Sequence, residues 1–431
     1  MCSSDIFRYR WRNRVYRAPR GTTDILPNDQ RYWTYVHSVA RDVVSRYGYK
    51  RLDTPIFEQT DLFTRGVGEV TDIVEKEMYS FLDRGGDSIT LRPEGTASVC
   101  RAYLENGMHN LPQPVRLFYT SPTFRYERPQ AGRFRQHHQF GVEALGEPDS
   151  YIDTEIIDMA WKFMRDLGLQ NLRLLINNIG DTECRPHYLD SLRAYYDNQL
   201  TVLCKDCNQR FYRNPLRLLD CKQEICSEIS LNAPRSVDYL CSGCKYHWDT
   251  LIGYLDRIEL PYSIEHKLVR GLDYYTRTVF EIQPENAGSQ GTILAGGRYD
   301  GLIEELQGKA TPGIGFATGI ERIILALKDQ GVSIPEEDPI KFVLTYMGDQ
   351  AKLEAVHVLS ILHEAGINSI MAPSGKSLRA QMRYANNIGV SYVLVLGDEE
   401  LENGSLVLKD MAGGSQRTID LRAVVQELSS I

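Results

Sequence analysis

Apolar positions recur at steps of three and four from Trp33 through Val36, Val39, Ala40, Val43 and Val44 to Tyr47, and Gly48 follows as a stop. That spacing predicts a helix opening at Pro27-Asn28-Asp29. Residues 49–58 change to extended chain. Pro55 within them cannot donate to a ladder, so this strand is expected at an edge or an interface. Ser88–Leu91 and residues 115–119 read as short strands, and 152–167 as a helix. Residues 181–261 differ in texture: they are cysteine-rich and helical, and read as an insertion between parts of one sheet. The sheet is expected to resume at 267–281, 292–295 and 313–318, with a helix at 320–327. A proline-bounded acidic break at 333–339 leads into alternating elements. Strands are expected at Phe342–Tyr346, Ser369–Met371, Tyr392–Leu396, 405–408 and 417–420, and helices at 352–365 and Leu378–Ile388, which predicts a small separate α/β domain.

The densest polar pattern lies at 123–143. Arg125, Arg128, Arg133 and Arg135 crowd a stretch broken by Pro129 and Gly132. Before the loop, Arg125 and Glu127 alternate with Phe124 and Tyr126; after it, Gln139, Gly141 and Glu143 alternate with Phe140 and Val142. Period two on both sides of a Pro/Gly loop predicts an antiparallel hairpin. One face would carry Arg, Glu and Gln, which suits a polyanion beside a small polar substrate.

A chain of 431 residues suggests about three domains, and 42% hydrophobic with 25% charged residues is the composition of a globular protein with a large core. No apolar run reaches the ~18 residues needed to span a bilayer. The first residues are arginine-rich without an apolar centre, so they read as an extension rather than a signal peptide. A net charge of −8 excludes a chain that is basic throughout, and any nucleic-acid contact must come from local patches such as the arginine loop. Nine cysteines, an odd number in a long chain, argue for reduced thiols and a cytoplasmic setting.

The chain has no GxxxxGK[ST], no Gly-x-Ser-x-Gly and no HExxH, and Gly313-x-Gly315 lacks the rest of a dinucleotide fingerprint. Arginines instead sit beside glycines at four places: the hairpin loop, Arg270-Gly271, Gly296-Gly297-Arg298, and Gly319-Ile320-Glu321-Arg322. Arginine is an always-charged fork suited to phosphate and carboxylate, and glycine admits close backbone approach. Reactions at phosphorus need positioning and positive charge more than covalent help. Glu94, Gln139, Glu143, Tyr274 and Tyr275 point to a second, small polar ligand, with Glu94 a natural partner for an ammonium group.

On these residues the chain resembles the histidyl-tRNA synthetases, within the class II aminoacyl-tRNA synthetases. The resemblance runs from Tyr16 (YRAPRGTTDILP) almost to the C-terminus. Motif 1 corresponds to 49–58 with Pro55, motif 2 to the arginine hairpin, and motif 3 to 312–322. Residues 268–275 and 295–301 correspond to the two motifs specific to the histidine enzymes. The implied fold is α+β: an antiparallel sheet of six to seven strands flanked by helices, with motif 1 at a homodimer interface. The implied domains are an extension at 1–15, a catalytic core at 16–180 and 262–330, the insertion at 181–261, a linker at 331–339, and an α/β anticodon-binding domain at 340–431.

The resemblance also implies a reaction and its residues. Histidine and ATP, accompanied by Mg2+, give histidyl-adenylate, and the histidyl group passes to the 3′-terminal adenosine of its tRNA. Arg125 is expected at the α-phosphate, Arg322 at the γ-phosphate end and on adenine, Arg133 at the pyrophosphate end, and Glu127 at adenine or the metal-bound phosphates. Arg270 is expected between the α-phosphate and the histidine carboxylate, and Gln139 near the reacting carboxylate. Glu94 and Thr96 would take the α-ammonium, Glu143 and Tyr275 opposite edges of the imidazole, and Tyr274 and Tyr299 would line the pocket. A site built on hydrogen bonds to imidazole can discriminate by roughly 10⁴–10⁵, in keeping with a chain that has no segment resembling an editing domain. Many relatives carry an aromatic carbocycle where this chain has His137; stacked on adenine, its protonation near pH 6.5 is expected to matter for ATP.

Cys204-x-x-Cys207 and Cys241-x-x-Cys244 together have the makings of one four-thiolate zinc site, but the gap between them exceeds that of a zinc ribbon, and Cys221 and Cys226 compete. Reduced structural thiols and no resident metal are therefore expected. Lys376, Arg379 and Arg383 share one helix face, suited to an anticodon stem or to solvent. Two other readings fit a synthetase-like chain: a non-catalytic regulatory subunit of histidine biosynthesis, and a module that binds uncharged tRNA. Intact histidine motifs and a C-terminal domain argue against the first, and the second is usually fused to a kinase, which nothing here resembles.

Overall fold

The computed structural model describes residues 16–68, 71, 73–130, 132–285, 291–335 and 340–431, so the expected extension at 1–15 and most of the 333–339 break lie outside the described residues. The chain divides into two compact units, one reaching Ile334 and the other Pro335–Ile431.

The first unit is built on an eight-stranded sheet. Its strands in chain order are β1 (Lys50–Arg51), β2 (Val115–Phe124), β3 (Gln136–Leu145), β4 (Leu172–Asn178), β5 (Ser263–Ile264), β6 (Thr276–Pro284), β7 (Leu294–Arg298) and β8 (Gly313–Gly319). They lie side by side in the order β1-β2-β3-β8-β7-β6-β4-β5. The six inner strands pair antiparallel, and the two-residue strands β1 and β5 add parallel edges. The expected count of six to seven thus describes the antiparallel body.

Alternation along β3 decides what each face of the sheet does. Phe140, Val142 and Ala144 point into a core with Val36 and Val43 of the helix Pro27–Arg46 and Ile152, Ile156 and Phe163 of the helix Ser150–Asp166. His137, Gln139 and Glu143 stand on the opposite face. A one-residue slip in register would bury Glu143 against the helices, so the apolar core fixes the polar face. β2 and β3 run from Val115↔Leu145 to Phe124↔Gln136, and β8 sets Gly315 beside Glu143.

Three expectations for strands are corrected. Residues 49–58 are not one strand; only Lys50–Arg51 and Phe57–Gln59 pair, because Pro55 between them cannot join a ladder. Phe57–Gln59 belongs instead to a small sheet with Tyr79–Leu82 and Ser88–Leu91. Arg125 to Glu127 lie beyond the end of β2, in the loop. Residues 267–275 are irregular, and the strand starts at Thr276. The stretch 181–261 is helical, with Arg185–Asp197, Lys205–Arg213, Glu224–Ser230 and Ser242–Arg257.

Among the four arginine–glycine elements, the one at Arg298 serves the core. A register shift at Gly297/Arg298 re-aims the chain there. The Arg298 side chain is fully buried and donates through Nε to both Asp153 oxygens at 3.3 and 3.2 Å. Burial alone would raise the Asp153 carboxyl, but Arg298 and His247 hold it well below the usual range.

The second unit is a five-stranded sheet ordered Ser369–Met371, Phe342–Tyr346, Tyr392–Leu396, Ser405–Asp410, Gln416–Asp420, parallel over the first three and antiparallel over the rest. Phe342–Tyr346 is buried along its whole length, as a central parallel strand should be. Lys376, Arg379 and Arg383 are exposed. No described helix is long and apolar enough to cross a membrane.

Candidate active site

The polar face of β3, the loop after β2, the N-terminus of the helix Thr96–Glu105, the irregular segment before β6 and the strands β7 and β8 surround one cavity. Glu94, Thr96, Arg125, Glu127, Arg133, His137, Gln139, Glu143, Arg270, Tyr274, Tyr275, Tyr299 and Arg322 all line it. Arg298, Arg128 and Arg135 do not. Arg135 instead lays its guanidinium 3.8 Å from the centre of the Tyr126 ring.

The deep end is a buried network around Glu143. Its Oε1 accepts from Thr96 Oγ1 at 2.7 Å and Tyr119 OH at 3.4 Å, and its Oε2 accepts from Tyr299 OH. Burial pushes the Glu143 carboxyl up to about 8, against these hydrogen bonds and with the help of nearby Glu94. Glu94 is buried too, which raises its pKa, while the backbone N–H groups of Ala97 and Thr96 oppose the rise at 2.8 and 2.7 Å. Both of its oxygens accept backbone N–H groups at the start of the helix Thr96–Glu105, which fixes its position on the cavity wall. Burial also raises Tyr119, Tyr274, Tyr275 and Tyr299, which keeps their hydroxyls protonated.

Glycines make room for this network. A methyl on Gly297 would lie 2.6 Å from Thr278 O and 2.9 Å from the Tyr275 ring, and one on Gly315 would strike the Glu143 carboxylate. Sequence reasoning reads such glycines as places where backbone meets ligand. Here they seat the side chains that shape the pocket.

The open end is cationic. Arg125 Nε donates to Pro93 O at 2.8 Å, which aims its fork. Arg322 donates through Nε to Gly132 O at 3.1 Å and through Nη1 to Thr292 O at 2.8 Å, tying the loop tip to the sheet. Arg133 pairs with Glu127 at 3.2 Å. Arg270 pairs with Glu281 at 2.5 Å; burial works against its charge, and the Glu281 carboxylate, with the Tyr275 ring face 5.4 Å away, opposes that. Gln139 Oε1, Arg133 Nε and Arg270 Nε are buried without a hydrogen-bond partner. Orphaned polar atoms on a cavity wall are costly unless a ligand completes them.

Tyr119 and Glu281 were missed by sequence reasoning. Both sit at inward positions of ordinary-looking strands, and only the Glu143 and Arg270 contacts single them out. His137 corrects an expectation. It is hydrogen-bonded to Thr123 Oγ1 at 2.9 Å, and burial, Arg125 and Arg322 lower its pKa to about 3. It is neutral at pH 6–8, so the expected sensitivity near pH 6.5 is withdrawn. His137→Phe should change the ATP KM by the same factor at pH 6 and pH 8; factors differing by more than about threefold would contradict the assignment.

A sheet that presents an arginine-bearing hairpin beside a buried polar pocket is the frame expected of an aminoacyl-tRNA synthetase. The apo histidyl-tRNA synthetase of S. aureus superposes with a TM-score of 0.81 at 38% identity, covering 96% of this chain and all of that one. The Histidyl-tRNA synthetase family matches residues 21–182 and 234–323, and the Anticodon binding domain family matches 341–431. A histidine–tRNA ligase of Dehalococcoides mccartyi is 54% identical over 96% of this chain and 99% of its own length, and one of Desulforamulus reducens is 51% identical over 94% and 97%. The chain belongs to the histidyl-tRNA synthetase family. A Bacillus halodurans protein described as an ATP phosphoribosyltransferase regulatory subunit/histidyl-tRNA synthetase shares the fold at 20% identity.

Proposed function

We propose that the chain is a histidine–tRNA ligase. It activates L-histidine with ATP as histidyl-adenylate and transfers the histidyl group to the 3′-terminal adenosine of its tRNA. The observation that carries this reading is the Glu143 network beside Arg125, Arg270 and Arg322: a hydrogen-bonding pocket for a polar ring opening directly onto a phosphate-binding wall. The regulatory-subunit reading is not favoured, because relatives named as ligases match nearly the full chain.

In this reading Glu143 and Tyr275 grip the imidazole, Tyr274 and Tyr299 enclose it, and Glu94 with Thr96 holds the α-ammonium. Gln139 fixes the carboxylate. Arg270 and Arg125 flank the α-phosphorus and neutralise charge that builds as the carboxylate attacks and pyrophosphate leaves. Arg133 and Arg322 hold the departing pyrophosphate end, and neutral His137 offers its face to adenine. Glu127 and Glu281 supply carboxylate oxygens of the kind a hard divalent cation such as Mg2+ prefers, and the cation would offset phosphate charge. The second unit, matched by the anticodon-binding family, would receive the tRNA, with exposed Lys376, Arg379 and Arg383 as candidates for phosphate contacts.

We assign a homodimer as the working form. Phe57 and Phe81 of the small sheet are 52% and 49% exposed and share one face of it by register, an apolar surface that a second copy would cover. Light scattering should then give twice the 49.2 kDa of one chain. The transfer step is tested with labelled histidine and tRNA. Charging should require an intact 3′-terminal diol, and periodate-treated tRNA should accept nothing. Charging that survives periodate would overturn the assigned acceptor.

A further inference from the structure

The eight described cysteines are free, and seven of them fall into two compact sets that cut across the pairing suggested by sequence spacing. Cys204 and Cys207 do not meet Cys241 and Cys244. They join Cys221 and Cys226, and Cys241 and Cys244 join Cys184 and Asp181. In each set the four ligand atoms lie within 4.8 Å of one another, and Cys204 Sγ is 3.9 Å from Cys221 Sγ. A tetrahedral ion with Zn–S near 2.3 Å holds its sulfurs about 3.8 Å apart. Disulfide bonding would instead need Sγ atoms at about 2 Å.

The two sets share one local design. Cys204 and Cys241 each stand at the N-cap of a helix, Lys205–Arg213 and Ser242–Arg257, and each sulfur accepts the N–H of the cysteine three residues on, at 3.4 and 3.5 Å. Cys226 Sγ accepts the Cys204 N–H at 3.3 Å, and Cys184 Sγ accepts the Asp181 N–H at 3.4 Å. A packed thiol behaves as a small hydrophobe and asks for none of this. Sulfurs at a helix N-terminus that accept backbone N–H groups are placed to carry negative charge.

We propose that the chain holds two structural zinc ions. One is bound by Cys204, Cys207, Cys221 and Cys226, the other by Asp181, Cys184, Cys241 and Cys244. Each thiol gives up its proton on binding, so the first site releases four protons and the second three. Cys207, Cys221 and Cys226 are buried, as in a closed structural site with no position left for substrate. The first ion would tie together three short segments of the cysteine-rich region. The second would pin the turn after β4 to the helix Ser242–Arg257, which packs into the main core through Trp248, Leu251 and Leu255. Next to Cys184, Arg185 donates to the carbonyl of Tyr275 at 2.6 Å, so the second site stands one residue from a support of the pocket wall. The inference does not depend on the reaction proposed above.

The test is the metal content of the full-length chain expressed with zinc and desalted. About two zinc per chain are expected, with an X-ray absorption first shell of seven sulfurs to one oxygen across both ions. Cys226→Ser and Cys241→Ser should each lower the content to about one, and the double variant to none. If a variant does not fold, wild-type stoichiometry and absorption still decide. Less than about a fifth of an equivalent, with the thiols freely reactive in the native chain, would overturn the proposal, as would iron in place of zinc. A single zinc lost only with Cys226 would overturn the aspartate-containing site.

Discussion

Arg270→Ala is expected to lower the rate of histidyl-adenylate formation by about 10³-fold while weakening histidine binding less than about tenfold. Arg270 is held at the junction of the two halves of the cavity, paired with Glu281 and with its Nε facing no protein partner. In the proposed reading it meets, in the ground state, a carboxylate already served by Gln139. In the transition state charge gathers between the attacking carboxylate and the α-phosphorus, and a fixed buried cation is worth most there. Arg270→Lys keeps the charge but loses the fork, so it should fall between wild type and alanine. Single-turnover adenylate formation and calorimetric histidine affinity, measured on the same variants, separate the two quantities. Equal losses in both would reassign Arg270 to ground-state binding.

Glu143→Gln is expected to raise the histidine KM on the order of 10²-fold with a smaller effect on kcat. Two carboxylate oxygens collect donors from Thr96, Tyr119 and Tyr299. An amide places two fixed N–H donors where the protonated carboxyl has one movable proton, so a partner in the same buried set is left unsatisfied. The same variant carries a pH signature. The folded-state pKa of Glu143 is raised to about 8, well above that of an unfolded glutamate. Its contribution is therefore fully present below the unfolded pKa and is lost as pH rises through about 8. Ligand-free wild type should lose stability relative to Glu143→Gln between pH 5 and 8, at up to about 1.4 kcal/mol per pH unit. Parallel stability curves would mean that Glu143 is ionised in the folded chain throughout.

Much of this was legible from local pattern. Alternation through Gln139 and Glu143 reported a two-faced strand because burial of Phe140 and Val142 leaves no other register. The same alternation misled at Arg125 and Glu127, where Pro129 and Gly132 end the ladder sooner than periodicity suggests. Arg298 looked equivalent to Arg270 and Arg322, since an arginine beside a glycine reads alike whether it meets a phosphate or a buried aspartate. Its partner Asp153 lies on a distant helix that spacing cannot locate. The cysteines show the same limit. Adjacent CxxC pairs invite each other in sequence, but each folds against a different neighbour, and only the three-dimensional path reveals which. His137 lines the cavity, whereas its charge state depends on burial and on Arg125 and Arg322 gathering around it.

In the proposed reading one cavity joins a histidine pocket to a phosphate-binding wall. Exchange of labelled pyrophosphate into ATP, with each amino acid supplied in turn and no tRNA present, tests it most directly. Exchange should appear with histidine and stay at background with the others. Background exchange with histidine, or equal exchange with another amino acid, would mean that the cavity does not activate histidine.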